Sequence, residues 1–177
     1  MNVLFSRETI ARRIREMGEE LTLFYRNKPL TCIALLNGAV PFAADLIRAM
    51  DLPLQFDTLA LSSYSGHCSN GVLQFRSRIK LPVAGRHVLI LEDILDSGVT
   101  GQEIRKLFQE QALSVRFCVM LEKDVPRRPE ALQHADFAGF HIADLFVAGY
   151  GMDDDEKYRN LPDIVCIGSG HGSPVTV

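Results

Sequence analysis

The chain predicts an α/β fold, a mostly parallel twisted sheet flanked by helices, and three observations carry that expectation. Two stretches run from an apolar strand through a polar turn into an amphipathic helix: residues 31–36, Asn37-Gly38 and 41–50, then residues 87–91, EDILDSGVTG and QEIRKLFQEQ. A further run, RFCVMLE at 116–122, is apolar on both faces between its charged ends, as a strand covered by two layers must be. Finally, 177 residues with 47% hydrophobic and 23% charged content are enough to build one domain around a real core.

Taken in order, Ile10, Ile14, Met17 and Leu21 recur at helical spacing after Ser6, so Ser6 reads as the N-cap of a packing helix. The strand at 31–36 closes on Asn37-Gly38, and the following helix holds Pro41 in its first turn, where a missing N–H is tolerated. A second strand covers 54–61. Its continuation, SSYSGHCSNG, is rich in Ser, Gly and Asn and reads as an exposed, mobile loop, with VLQFRSRIKL after it as a hairpin arm. The strand at 87–91 ends on Glu92 and Asp93, and the helix after it sets Ile104, Leu107 and Phe108 on one face. Beyond Pro126 the pattern breaks into short strand-like pieces, DFAGFHI, LFVAGYGM and DIVCIG, with no further helix. No linker, repeat or low-complexity segment divides the chain, so 1–177 reads as a single domain.

Composition excludes several function classes. Lys plus Arg is 19 and Asp plus Glu is 22, a net charge of −3 that removes the bulk electrostatic attraction to nucleic acid. No apolar run approaches the ~18 residues that span a bilayer, so no membrane partner is expected. At the N-terminus the arginines follow a short apolar start, the reverse of a secretory signal, and a cytoplasmic location is expected. Cys32, Cys68, Cys118 and Cys166 are far apart without metal-site spacing and read as reduced thiols. Cys68 alone lies in a polar segment.

The chemistry concentrates in VLILEDILDSGVT, residues 88–100. In open α/β sheets ligands bind at the carboxyl ends of strands, where Glu92 and Asp93 can leave the core to meet polyol hydroxyls or hydrated Mg²⁺. Asp96 follows on the loop. Ser97, Gly98, Val99 and Thr100 lead into a helix whose N–H groups, with the two hydroxyls, suit a phosphate. On residues alone, the same pattern also describes a capped helix start, and a response-regulator-like acidic site fits less well.

This stretch resembles the phosphoribosyl pyrophosphate (PRPP) motif of the type I phosphoribosyltransferases: apolar strand, two acids, two apolar residues, Asp, small-residue phosphate loop. Residues 136–168, DFAGFHIADLFVAGYGMDDDEKYRNLPDIVCIG, resemble the purine-binding hood of the hypoxanthine-guanine members. With Ser62-Ser63-Tyr64 and Asn37-Gly38, the resemblance covers roughly residues 30–167. It implies the type I phosphoribosyltransferase fold, with a small hood contributed mainly by about 136–177 and the N-terminal segment packing near it.

By position, the resemblance implies that Glu92 and Asp93 hold the ribose hydroxyls and through them Mg²⁺. Ser97 to Thr100 would bind the 5′-phosphate, and Asp96 would lie near purine N7 as the catalytic proton-transfer group. Lys123 would donate to the 6-oxo group, favouring 6-oxopurines over adenine; without the motif, a lone lysine after a strand is by default a solvated residue. Phe146 would stack on the purine, while Val147 and Asp153 offer backbone groups to its edge. Asp153 would also carry a second Mg²⁺, and Arg159 would contact pyrophosphate. Ser63 and Tyr64 would open a mobile loop that closes over the reacting centre.

Three departures stand out. Asn37-Gly38 occupies the pyrophosphate turn where many relatives have Lys-Gly or Arg-Gly, Leu36-Asn37 is the candidate for the family's cis peptide, and IAD replaces the usual IPD at 142–144. The implied activity is transfer of the phosphoribosyl group of PRPP to N9 of hypoxanthine or guanine, forming IMP or GMP and pyrophosphate in a homodimer or homotetramer. A xanthine-preferring transferase and a PRPP-binding regulatory protein are the alternatives.

Overall fold

Two periodicities build the molecule. In the computed structural model, which describes residues 1–62, 74–75, 77 and 79–169, the period-2 strands form sheets and the 3.6-period segments cover them. The elements are β1 (Asn2–Phe5), α1 (Arg7–Phe24), β2 (Leu30–Leu36), α2 (Val40–Ala49), β3 (Leu54–Ser62) and β4 (Gln74–Phe75). They continue with β5 (His87–Leu95), α3 (Val99–Phe108), β6 (Ser114–Lys123), β7 (Phe137–Ile142), β8 (Leu145–Ala148) and β9 (Ile164–Ser169).

Among the described residues, the larger sheet has the order β4-β3-β2-β5-β6-β7. All its neighbours are parallel except the antiparallel β3–β4 edge pair, in which Gln74 and Phe75 lie against Ser62 and Leu61. This is the mostly parallel, helix-flanked α/β sheet that the sequence predicts. Alternate strand residues feed opposite cores. Cys32, Ala34, Leu89, Leu91, Cys118 and Met120 pack with Ile10, Ile14, Met17 and Leu21 of α1 and Phe42 and Leu46 of α2. Ile33, Leu35, Val88, Ile90, Phe117 and Val119 pack with Ile104 and Phe108 of α3. Each such large side chain contributes about 1.5–3 kcal/mol on burial, which fixes the strand register.

Ser6 caps α1 with its hydroxyl accepting from the Thr9 N–H, as expected. Two sequence expectations need correction. Leu107 is 43% exposed, and Gly101 joins Ile104 and Phe108 on the buried face of α3, because Leu107 falls at the edge of the apolar stripe. The strand expected to stop at Leu91 runs on to Leu95, since Ile94 and Leu95 continue the ladder against Leu121 and Glu122 of β6. Glu92 and Asp93 therefore sit within the last turns of a paired strand, held more rigidly than at a loose end.

A second, antiparallel sheet has the order β1-β9-β8. The N-terminal strand pairs with β9 through Asn2, Val3 and Phe5, and Phe5 stacks on Phe140 of β7 at 4.0 Å between ring centroids. Cys32 and Cys118 are buried free thiols and Cys166 is half-buried; burial pushes the Cys32 thiol up to about 12. Cys68 lies outside the described residues. Among the described residues, no helix is long and apolar enough to cross a membrane.

Candidate active site

The larger sheet changes direction between β2 and β5: from β2 the chain moves outward to β3, and from β5 it moves the other way to β6 and β7. Splayed connections at such a switch point open a crevice beyond the carboxyl ends of the strands. β2 delivers the Asn37-Gly38 turn there, and β5 delivers Glu92, Asp93 and Asp96. The Leu36-Asn37 peptide is cis.

A cleft of about 160 Å³ lies at this end, lined by Asp93, Ile94, Asp96, Lys123, Leu145, Phe146, Val147, Met152 and Asp153. One opening thus gathers a carboxylate from β5 and one from the turn after it, a cation from β6, an exposed aromatic ring from β8 and a carboxylate from the loop beyond β8. Larger hollows exist elsewhere. One of about 420 Å³ lies at the amino ends of the strands beside Lys28 and Arg86, and one of about 600 Å³ lies beside Leu107 and Phe108. Neither gathers a comparable set of acids and bases.

Lys123 is buried, contrary to the default for a lone lysine. Its Nζ donates to Asp96 Oδ2 and to Asp144 Oδ1, each at 3.1 Å, while the Asp96 side chain stays half exposed to the cleft. Asp144, from the IAD tripeptide, escaped the sequence reading because nothing local marks it as a partner of a residue 21 positions away.

The acids of β5 are unusual. Burial, with Asp93 adding to it, pushes the Glu92 carboxyl up to about 8, and its Oε2 is buried without a hydrogen-bond partner. Burial also raises Asp93, opposed by backbone N–H donors and Arg159 and assisted by the like charge of Asp153. Backbones approach closely here. A Cβ on Gly38 would collide with the Asp93 carboxylate, and one on Gly151, at φ 100°, would collide with the Gly38 carbonyl. The Gly38 turn is thus sandwiched between the β5 acids and the loop after β8.

That loop carries the remaining groups. Arg159 Nη2 pairs with Asp153 Oδ1 at 2.7 Å, and its Nη1 donates to the Gly151 carbonyl at 2.9 Å. Asp153 Oδ2 accepts from the Glu156 N–H at 3.0 Å. Tyr150 Oη donates to Asp45 Oδ2 at 2.8 Å, tying the loop to α2, a contact no sequence pattern announces.

The phosphate-type turn opens α3. Gly98 holds φ 73° at the N-cap, and no side chain caps the helix, which leaves first-turn N–H groups for an anion. Ser97 and Val99 are exposed and Thr100 is half-buried at this turn. Ser63 and Tyr64 lie outside the described residues.

The donor set suits a hard divalent cation. Glu92, Asp93 and Asp153 offer only oxygen, and the unpartnered Glu92 Oε2 is a buried group that lacks a counterpart. Among the described residues no three such groups stand close enough to cage an ion. Mg²⁺ sites of this kind need only one or two carboxylates, with waters and substrate phosphates completing the shell.

Comparison with known proteins agrees with this architecture. Residues 4–155 match the model of the phosphoribosyl transferase domain family. The chain is 41% identical over 164 residues to the hypoxanthine-guanine phosphoribosyltransferase of Bacillus subtilis, covering 92% of this chain and 90% of that one. It is 39% identical over 163 residues to the hypoxanthine-guanine-xanthine phosphoribosyltransferase of Tritrichomonas foetus, covering 92% and 88%. A crystal structure of a hypoxanthine phosphoribosyltransferase from Staphylococcus aureus superposes with a TM-score of 0.87 at 38% identity, covering 94% of this chain and 90% of that one. With the fold, the switch-point cleft and these relatives in agreement, the chain belongs to the hypoxanthine-guanine phosphoribosyltransferase family of type I phosphoribosyltransferases.

Proposed function

We propose that the protein transfers the 5-phosphoribosyl group of PRPP to N9 of hypoxanthine or guanine, yielding IMP or GMP and pyrophosphate in purine salvage. The observation that supports this most is the convergence of Asp93, Asp96, Lys123, Phe146 and Asp153 on one cleft beside an uncapped helix start.

In this reading the open N-terminus of α3, with the Ser97 and Thr100 hydroxyls, holds the 5′-phosphate, and Gly98 lets it approach the backbone. Glu92 and Asp93 accept from the ribose hydroxyls. Lys123, already aimed at the cleft by Asp144, donates to the 6-oxo group, and Phe146 stacks on the ring while Val147 and Asp153 meet the purine edge. Glu92, Asp93 and Asp153 would hold Mg²⁺, which when bound neutralises charge on the pyrophosphate.

The bond from C1′ to the pyrophosphate oxygen breaks with its electron pair leaving on pyrophosphate, and the N9–C1′ bond forms. Asp96 takes up the proton that the base must shed, and Arg159 supplies a fixed fork of donors to the departing pyrophosphate. Asn37-Gly38 adds backbone contact to the same group without a cation. The chain acts as a single domain in the cytoplasm, assembled as a homodimer or homotetramer, with the β1-β9-β8 sheet as the hood over the purine.

Purified protein with PRPP and Mg²⁺ is expected to form nucleotide from hypoxanthine and guanine, and EDTA is expected to abolish it. Turnover of adenine alone, or of no base, would refute the reading.

A further inference from the structure

The site depends on groups from two strands. Asp96 follows β5 and Lys123 ends β6, yet the direct link between their side chains is one exposed-edge ion pair at 3.1 Å. Beneath it lies a residue that faces neither cleft nor bulk solvent. Arg127, in the irregular segment after β6, has a side chain only 4% exposed. Its Nε donates to the Asp96 carbonyl at 2.7 Å, and its Nη2 donates to the carbonyls of Leu95 at 3.1 Å and Lys123 at 2.7 Å. Nη1 donates to the Gln133 carbonyl at 2.7 Å and stands 3.7 Å from Glu122 Oε1.

One planar guanidinium therefore joins the backbone carrying Asp96, the backbone carrying Lys123 and the irregular segment that leads to β7. Its buried charge is balanced by Glu122, whose carboxylate is itself fixed by His134 Nδ1 at 2.8 Å and the Ala135 N–H at 3.1 Å. The same segment supports the phosphate turn from below: the Leu132 N–H donates to the Gly98 carbonyl at 3.0 Å, and a Cβ on Gly98 would collide with the Leu132 carbonyl. Lysine, a point charge with three donors on a flexible stem, has no means of spanning these carbonyls together.

We infer that Arg127 is a positioning residue that sets the separation of the Asp96 carboxylate from the Lys123 ammonium and seats the phosphate turn, without touching substrate. For catalysis this deepens, and rests on, the transferase reading given above. A misplacement of about 1 Å in such a constellation costs about a hundredfold in rate.

The test compares Arg127→Lys and Arg127→Met with the neighbouring exposed Arg128→Met, following both base kinetics and amide hydrogen exchange. Arg127→Lys keeps a cation opposite Glu122 and so serves if Arg127→Met fails to fold. Expected for Arg127→Lys are faster exchange confined to residues 95–102 and 123–135, unchanged exchange in β2 and α1, and a kcat/KM for hypoxanthine lowered about a hundredfold. Arg128→Met should match wild type in both readouts. Wild-type exchange at 95–102 in Arg127→Lys would overturn the clamp whether or not the enzyme turns over. An inactive wild type would instead overturn the transferase reading, leaving the exchange data to decide on the clamp.

Discussion

Lys123 is held between Asp96 and Asp144, so in the proposed reaction a base with a 6-oxo acceptor would compete with Asp96 for the ammonium while Asp144 keeps it aimed. In that reading the released Asp96 carboxylate would take the proton that the base sheds. Asp96→Asn keeps the shape and removes the base, so kcat should fall by about 10²–10⁴, the usual contribution of a positioned proton acceptor. The pH–rate profile should lose its acidic limb at the same time. Near-normal turnover with an unchanged profile would end the proton-transfer role. At this scale the sequence is partly legible. Glu92, Asp93 and Asp96 stand in one motif because a single strand and turn deliver them. Lys123 carries no local mark and is read only through its likeness to a family pattern. Asp144 and Arg127 go unseen because their roles are contacts across the fold, made with residues that share no spacing rule with them.

Among the elements, the turn after β2 shows how close packing organises chemistry. Gly38 lies against the Asp93 carboxylate on one side and the Gly151 backbone on the other, so three segments meet with no room for a side chain at either glycine. Gly151→Ala adds both a collision with the Gly38 carbonyl and a residue at φ 100°, where side chains are strained. We expect a loss of about 1–3 kcal/mol in denaturant unfolding and a raised KM for PRPP, larger in proportion than that for the base. Unchanged stability would mean that the loop shifts freely and does not brace the turn. Strand and helix identities follow from periodicity, and so does the capping of α1 by Ser6. The end of β5 is less legible: an acidic pair looks like a stop, but Ile94 and Leu95 resume the ladder because β6 offers partners there. Leu107 is misassigned for a similar reason, since the width of a buried stripe depends on what packs against it.

For the molecule as a whole, strand order converts separate motifs into one site. The reversal between β2 and β5 opens the crevice, β6 brings Lys123 alongside Asp96, and the antiparallel β1-β9-β8 sheet sets Phe146 and Val147 at its rim. Alternating strands and helices make the α/β class readable from the chain, whereas the order of strands is a tertiary outcome that periodicity does not encode. We propose that this cleft selects 6-oxopurines for phosphoribosyl transfer through the Lys123 donor. The direct measurement is kcat/KM for hypoxanthine and for adenine, with PRPP and Mg²⁺, in wild type and in Lys123→Met. A hydrogen bond from a charged donor is worth about 1.5–3 kcal/mol, so the variant should lose about 10- to 100-fold of the preference for hypoxanthine. An undiminished preference in Lys123→Met, or a wild type that uses adenine as well as hypoxanthine, would contradict it.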